Sequence, residues 1–359
     1  MTAAPLPLPG FYRSEHATQW EYAPDQQALF EAARAWRAAH GIEPAAADTR
    51  RVILLVIDAQ KDFCFPRGSL FVGGRSGTGA MDDNDRLARF VYAHLAALTE
   101  VVCTLDTHYP FQVFSPAFWR DAAGAPLAAH REITTEDIAA LRVRPDPELA
   151  SWLAGGDKRW LRRQVEFYCR ALERAGKYRL YLWPPHCLLG SDGHALAGVV
   201  HEARLFHAYA RTSPGGIEMK GGHPLNENYS VLAPEVLGRH DGGVLAERNQ
   251  ALIDRLLAAD ALIVAGQAAS HCVKSTLEDL QAAIAARDPA LARRVYVLRD
   301  CMSSVAVSDP QRPGQFLFDF TPQTEEALGR LAAAGMNVVE STRPMAQWPG
   351  MRSPPASAG

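Results

Sequence analysis

Apolar residues in this chain come in short unbroken runs, and most of the runs stop at a carboxylate. Arg51–Asp58 (RVILLVID) and Glu100–Asp106 (EVVCTLD) both end in Asp. Ala261–Ala268 (ALIVAGQA) ends in small residues, and Arg294–Asp300 and Met336–Glu340 complete the set. Such runs suit parallel strands buried on both faces. Helical spacing fills the stretches between them: Asp82–Leu98, Ser275–Ala286 and Gln323–Ala334, the last closed by Gly335 where a helix C′ residue falls. Alternating strands and helices predict a doubly wound α/β fold, a three-layer sandwich around roughly five or six parallel strands. In open sheets of this kind ligands bind beyond the C-terminal strand ends. Asp58, Asp106 and the segment after Ala268 are therefore expected at one site.

Three segments interrupt the alternation. Residues 1–50 read as an N-terminal extension with one helical stretch, Asp25–His40. The α/β domain then runs over 51–345, broken by a helical insertion at about 117–179 with patterns at Thr135–Leu141, Pro147–Leu153 and Lys158–Ala175. Residues 306–322 read as an irregular loop, and 346–359, rich in Pro, Ser and Ala, as a mobile tail. With 359 residues, 48% of them apolar, the chain has ample material for a core and is not disordered throughout. A net charge of −3 argues against a nucleic-acid platform or a basic membrane-surface protein. The start lacks the basic-then-apolar pattern of a secretory leader, and no apolar run is long enough to span a bilayer. The six cysteines are scattered without a CxxC pair, so a reduced, cytoplasmic enzyme is expected.

Cys272 stands apart from the other cysteines. It follows the third run across a small-residue turn and opens a helix, where backbone N–H groups favour a thiolate and can hold an oxyanion. A nucleophilic thiol needs a proton acceptor and a nearby positive charge. Asp58 at a central strand end fits the first, against a plain role in capping the next turn. Lys220, beside glycines, fits the second, against a plain solvated loop lysine. Asp106-Thr-His108 sets two metal-type donors two residues apart, which in extended chain brings them to one side. His186 is made rigid by the prolines of Trp183-Pro-Pro-His186-Cys187, and Glu227 adds an oxygen. A mixed His and carboxylate set suits Zn, Fe or Mn.

Together these segments resemble the nicotinamidase branch of the isochorismatase-like cysteine hydrolases, over most of Arg51–Ser341 outside the insertions. Asp58-Ala-Gln-Lys-Asp-Phe63 resembles the D-x-Q-x-D-F element that carries the family's catalytic Asp. Asp106-Thr-His108 and Trp183-Pro-Pro-His186-Cys187 are similar to its metal-binding segments. Lys220-Gly, with Glu227 seven residues on, is similar to its catalytic-Lys segment, and Gly266-Gln-Ala-Ala-Ser-His-Cys272-Val to its nucleophile loop. Three features depart from the family: Ala269-Ser270 replaces a common Thr-Asp, Phe114 stands where a polar residue is frequent, and the stretch between Asp106 and Trp183 is far longer.

The resemblance implies a catalytic triad of Asp58, Lys220 and Cys272. It also implies an oxyanion hole from the N–H groups of Ala268 and Cys272, with a cis peptide joining Gln267 and Ala268. Phe63 and Trp183 match aromatics that hold a ring substrate. One divalent ion, zinc before iron or manganese, would sit on Asp106, His108, His186 and Glu227. The implied activity is metal-dependent hydrolysis of a small carboxamide, nicotinamide or a relative, to an acid and ammonia through a thioester. An isochorismatase-type hydrolase of another small substrate and a non-catalytic interaction module on the same fold are the alternatives. Expected partners are a small-molecule amide and a second copy of the chain in a homo-oligomer, with no nucleic acid and no membrane. Both ends of the insertion lead into metal-binding segments, so the insertion is expected to border the pocket entrance or form an oligomer contact there.

Overall fold

The structure, a computed structural model, describes residues 5–176 and 178–351. Six strands form the central sheet: β1 Val52–Ile57, β2 Glu100–Asp106, β3 Ile217–Lys220, β4 Ala261–Gly266, β5 Val295–Leu298 and β6 Asn337–Val339. Their order is β6-β5-β4-β1-β2-β3, and every pairing is parallel. The chain builds outward from β1 on one side, then returns to build outward from β4 on the other. The switch point between β1 and β4 is where such sheets open a crevice.

The main helices are α1 Gln26–His40, α2 Gly79–Ala93, α3 Lys158–Ala175, α4 Gly198–Arg211, α5 Gln250–Leu257, α6 Lys274–Arg287 and α7 Thr321–Ala333. β1 shows why the sheet needs two helical layers. Val52, Leu54 and Val56 pack in one core with Leu87 and Val91 of α2 and Phe206 of α4. Ile53, Leu55 and Ile57 pack in a second core with Leu252 and Leu256 of α5, Leu277 and Leu280 of α6 and Leu331 of α7. Successive side chains point to opposite faces, so an unbroken apolar strand must be covered twice.

The extension docks on the first of these layers. Asp25 caps α1 by accepting from the N–H groups of Gln27 and Ala28. Tyr22 of the extension and Tyr92 of α2 both donate to the buried carboxylate of Glu202 on α4. The insertion is a unit with its own core, built on Trp119, Ile133, Ile138, Val143, Leu161, Val165 and Tyr168. It adds two small antiparallel pairs, Trp119–Asp121 with Val143–Pro145 and Arg131–Ile133 with Leu180–Leu182.

Several expectations change. Residues 306–322 are not an irregular loop; Ala306–Ser308 and Phe316–Asp319 form an antiparallel hairpin. Of the tail expected from 346, Trp348 stacks on Phe90 and Tyr296 and Met351 is fully buried, while 352–359 lie outside the described residues. In the insertion, α3 buries Leu161, Gln164, Val165, Tyr168, Cys169 and Leu172.

Candidate active site

Four strand ends deliver the side chains that the sequence singled out. Asp58 follows the central strand β1 with a φ of +44°. Asp106 ends β2 and Lys220 ends β3, and the two are registered neighbours. Cys272 lies in a single wide turn, Ala269–Val273, between β4 and α6. Lys220 Nζ sits 2.9 Å from Asp58 Oδ2, 3.0 Å from Asp106 Oδ1 and 3.6 Å from Cys272 Sγ. Lys220 is thus buried at a strand end, unlike the solvated loop lysine that was its plain alternative. Burial works against its charge, but Asp106 and Asp58 hold it protonated well above the usual lysine range.

Asp58 is held on both sides. Thr104 Oγ1 accepts from the Asp58 N–H (3.0 Å) and donates to Asp58 Oδ1. Burial raises the Asp58 pKa, Lys220 opposes this, and Asp106 adds to it. The net direction is upward, so the group is a better proton acceptor than an ordinary carboxylate.

The loop that carries Cys272 starts at Gly266, where φ is +116° and an added Cβ would fall 2.0 Å from the Ile57 carbonyl oxygen. The next peptide but one, Gln267–Ala268, is cis. Gln267 is gripped by α2 and by the loop after β5: its Nε2 donates to Asp83 (2.9 Å), and its Oε1 accepts from the Ser303 N–H (3.2 Å). The Ala268 carbonyl accepts from the N–H groups of His271 and Val273, which closes the turn around Cys272. Burial pushes the Cys272 thiol well above its ordinary pKa; Lys220 pulls it down, and Asp58 and Asp106 push it up. A thiol lowered by the helix terminus was expected. Desolvation in the pocket outweighs that effect and favours the protonated thiol.

Beside this group lie Asp106, His108 and His186, whose ligand atoms all fall within 4.8 Å of one another. His108 Nδ1 faces the Gly221 carbonyl (3.3 Å) and His186 Nδ1 faces the Pro184 carbonyl (2.8 Å). Each carbonyl fixes Nδ1 as the donor and leaves Nε2 as the inward atom, as metal-binding histidines require. His108 Nε2 lies 2.9 Å from Asp106 Oδ2 yet has no hydrogen-bond partner among the described residues, and His186 Nε2 is 3.9 Å from the same oxygen. A tetrahedral ion with bonds of about 2.0–2.2 Å sets its donors roughly 3.3–3.6 Å apart. The observed separations bracket that value, so these three residues fit a transition ion.

Burial and His108 push His186 down to about 3, so it is neutral. Burial also opposes charging His108, but Asp106 outweighs it and its pKa rises. Glu227, expected as a fourth ligand, is not among the converged atoms. Its Oε1 accepts from the Asn228 N–H (3.1 Å), and burial raises its pKa to about 8, with His108 opposing. Gly221 passes so close that an added Cβ would meet Asp106 Oδ1 at 2.6 Å.

Aromatic side chains surround the group. Phe63 is buried 5.8 Å from the His186 ring, and Phe114 packs edge-on against His108 at 4.6 Å. Trp183 donates to the Tyr229 hydroxyl (2.8 Å) and faces His271 at 5.7 Å. Sequence reasoning missed the residues that tie the pieces together. Buried Gln60 donates to the Asp106 carbonyl and accepts from its N–H, both at 2.8 Å, pinning the end of β2 to β1. Asp62 accepts from the Cys187 N–H (2.7 Å) and locks the Pro-Pro-His segment to the first motif. Both lie inside the D-x-Q-x-D-F element, whose polar residues in an apolar setting were the available signal.

No protein-family profile matches the chain, and no curated protein matches it. Solved structures show a likeness of low identity. A nicotinamidase/pyrazinamidase of Acinetobacter baumanii is 18% identical, covering 82% of this chain and 98% of that one, with a TM-score of 0.45. The yeast nicotinamidase is 18% identical over 80% of this chain and 99% of that one, TM-score 0.45. An N-carbamoylsarcosine amidase from Thermoplasma acidophilum is 16% identical over 82% and 98%, TM-score 0.38.

Proposed function

We propose that this chain is a metal-dependent cysteine amidohydrolase that converts a small carboxamide, nicotinamide or a related planar amide, to the acid and ammonia. The observation that carries this reading is the buried Lys220 ammonium within 3.6 Å of a thiol and within 3.0 Å of two carboxylates. Packing alone gives no reason to bury that set.

In the proposed reaction Asp58 takes the Cys272 proton as Sγ attacks the amide carbon. The developing oxyanion lies against the N–H groups of Ala268 and Cys272. Lys220 stabilises the thiolate and holds Asp58 in place. Protonated Asp58 returns its proton to the leaving nitrogen, and ammonia departs from the thioester. A water then loses a proton to Asp58 and attacks the thioester; collapse expels the thiolate, which Asp58 reprotonates. The sum is amide plus water to acid plus ammonia. An ion on Asp106, His108 and His186, with Glu227 near them, would supply Lewis-acid polarisation and hold water or a ring nitrogen in place. Phe63 and Trp183 would hold the flat face of the substrate.

The test is ammonia release from nicotinamide, pyrazinamide, maleamate, N-carbamoyl compounds and linear amides. Cys272→Ala should lower turnover by more than about 10³-fold in a folded protein. Elemental analysis should find about one transition ion per chain, lost in His108→Ala combined with His186→Ala. Turnover that survives loss of the thiol would overturn the covalent route.

A further inference from the structure

We propose that helix α3 of the insertion braces the metal-side carboxylate, with Tyr168 as the positioning residue for Glu227. The inference rests on the metal site of the preceding reading. Trp160, Gln164 and Tyr168 are spaced four apart and so lie on one stripe of α3. Each makes a hydrogen bond, and all three go to one stretch of chain, 227–241. Trp160 Nε1 donates to Asp241 Oδ2 (2.9 Å), the His240 N–H donates to Gln164 Oε1 (2.9 Å), and the Glu227 N–H donates to the Tyr168 hydroxyl oxygen (3.1 Å). Gln164 and Tyr168 are fully buried. Leu225 and Val236, from either end of the Glu227 loop, sit in the insertion's core.

The loop is closed on itself as well. The Val236 N–H donates to Asn226 Oδ1 (3.1 Å) and the Glu235 N–H to the Glu227 carbonyl (3.0 Å). Its other side faces the site: Lys220 Nζ donates to the Asn228 carbonyl at 2.9 Å. One rigid loop thus touches α3 on its outer side and the lysine on its inner side. A helix that merely packed would present aliphatic side chains here, because buried polar atoms cost stability unless matched. The phenol instead meets the backbone donor of Glu227, whose carboxyl is not among the converged donors but interacts with His108 and Asp106. Partners one step outside the ligands orient donors in this manner.

The experiment compares zinc affinity, by competition with a chromophoric chelator, in wild type, Tyr168→Phe, Glu227→Gln and the double variant, with Trp160→Phe as control. Tyr168→Phe should raise the zinc Kd by roughly 10- to 100-fold, and hydrogen exchange at the Glu227 amide should quicken. The same change on the Glu227→Gln background should leave Kd within about two-fold, since no carboxylate remains to be positioned. Trp160→Phe, at the exposed end of the stripe, should also leave it within about two-fold of wild type. An unchanged Kd in folded Tyr168→Phe, or an equal rise on both backgrounds, overturns the inference. Should Tyr168→Phe not fold, Gln164→Leu, one turn away, is measured in its place; a smaller rise supports the brace and no rise overturns it. A wild type that takes up no zinc, or a His108→Ala/His186→Ala protein that keeps it, removes the metal site itself and this inference with it.

Discussion

Lys220 cannot neutralise Asp58 and Asp106 together, because one ammonium faces two buried carboxylates. A divalent cation on Asp106, with His108 and His186 as neutral ligands, would cover the deficit. The strand-end acids, the lysine, the thiol and the two histidines were legible in the sequence because each sits in a short motif with a chemical reason. Their supports were not. Thr104 in EVVCTLD reads as an ordinary β-branched strand residue, and Asp83 as one more acid in a helix. Thr104 gives the first residue-scale prediction. Thr104→Val keeps the shape but removes both hydrogen bonds to Asp58. It should cost about 1–3 kcal/mol of stability through the unpaired Asp58 N–H. It should also lower kcat by roughly 10- to 100-fold, because the carboxyl is no longer aimed. KM should change little. Denaturant unfolding and steady-state kinetics on the best amide check both, and an unaltered kcat would show that Asp58 needs no such support.

At the scale of elements, long apolar strands and the inserted helix were legible because burial on both faces, or a clear helical stripe, leaves a strong pattern. β2 at Glu100–Asp106 and α3 at Lys158–Ala175 fall on their expected bounds. β3 was missed: as an edge strand with Ile217 and Met219 exposed, it lacks an apolar run. α5, only eight residues long, and the hairpin after β5 were missed for want of length. The junction of β1 and β4 is the element on which the nucleophile loop depends. Gly266 pairs with Ile57, and the Gln267 N–H donates to the Ile57 carbonyl (2.7 Å). Gly266→Ala would drive a Cβ into that carbonyl at a φ of +116°. It should cost about 3 kcal/mol or more and abolish turnover, since neither backbone can retreat without parting the strands. Gly329→Ala in α7, where among the described residues nothing beyond the helix itself lies within 4 Å of the added Cβ, should instead be neutral or stabilise by about 0.5–1 kcal/mol. Equal stability of the two variants in urea would refute the proposed role of the junction.

For the whole molecule, acid sensitivity follows from histidines that the fold keeps neutral. His94, His201, His207 and His271 are each pushed down to about 4, in every case by burial first. His207 is the cleanest to test. It is fully buried on α4, its Nε2 donates to the Leu98 carbonyl (2.8 Å), and its Nδ1 has no partner among the described residues. Burial lowers its pKa, the Leu98 carbonyl opposes this, Arg211 reinforces it, and Asp48 opposes it weakly. Its folded pKa of about 4 lies below the ordinary 6.5. Between those values the unfolded chain binds a proton that the folded protein refuses, so stability rises with pH across that window. Above 6.5 both states are neutral and below about 4 both are charged, so the effect is confined to the interval. The full loss on acidification is on the order of 3 kcal/mol for this residue. His207→Gln keeps a donor toward Leu98 and cannot titrate. The gap between wild-type and variant unfolding free energies, measured in urea from pH 7 to pH 4, should therefore move in the variant's favour by up to about that amount. The other three histidines are common to both proteins and cancel in the difference. Parallel pH curves would mean that His207 is already charged, or already solvated, in the folded protein.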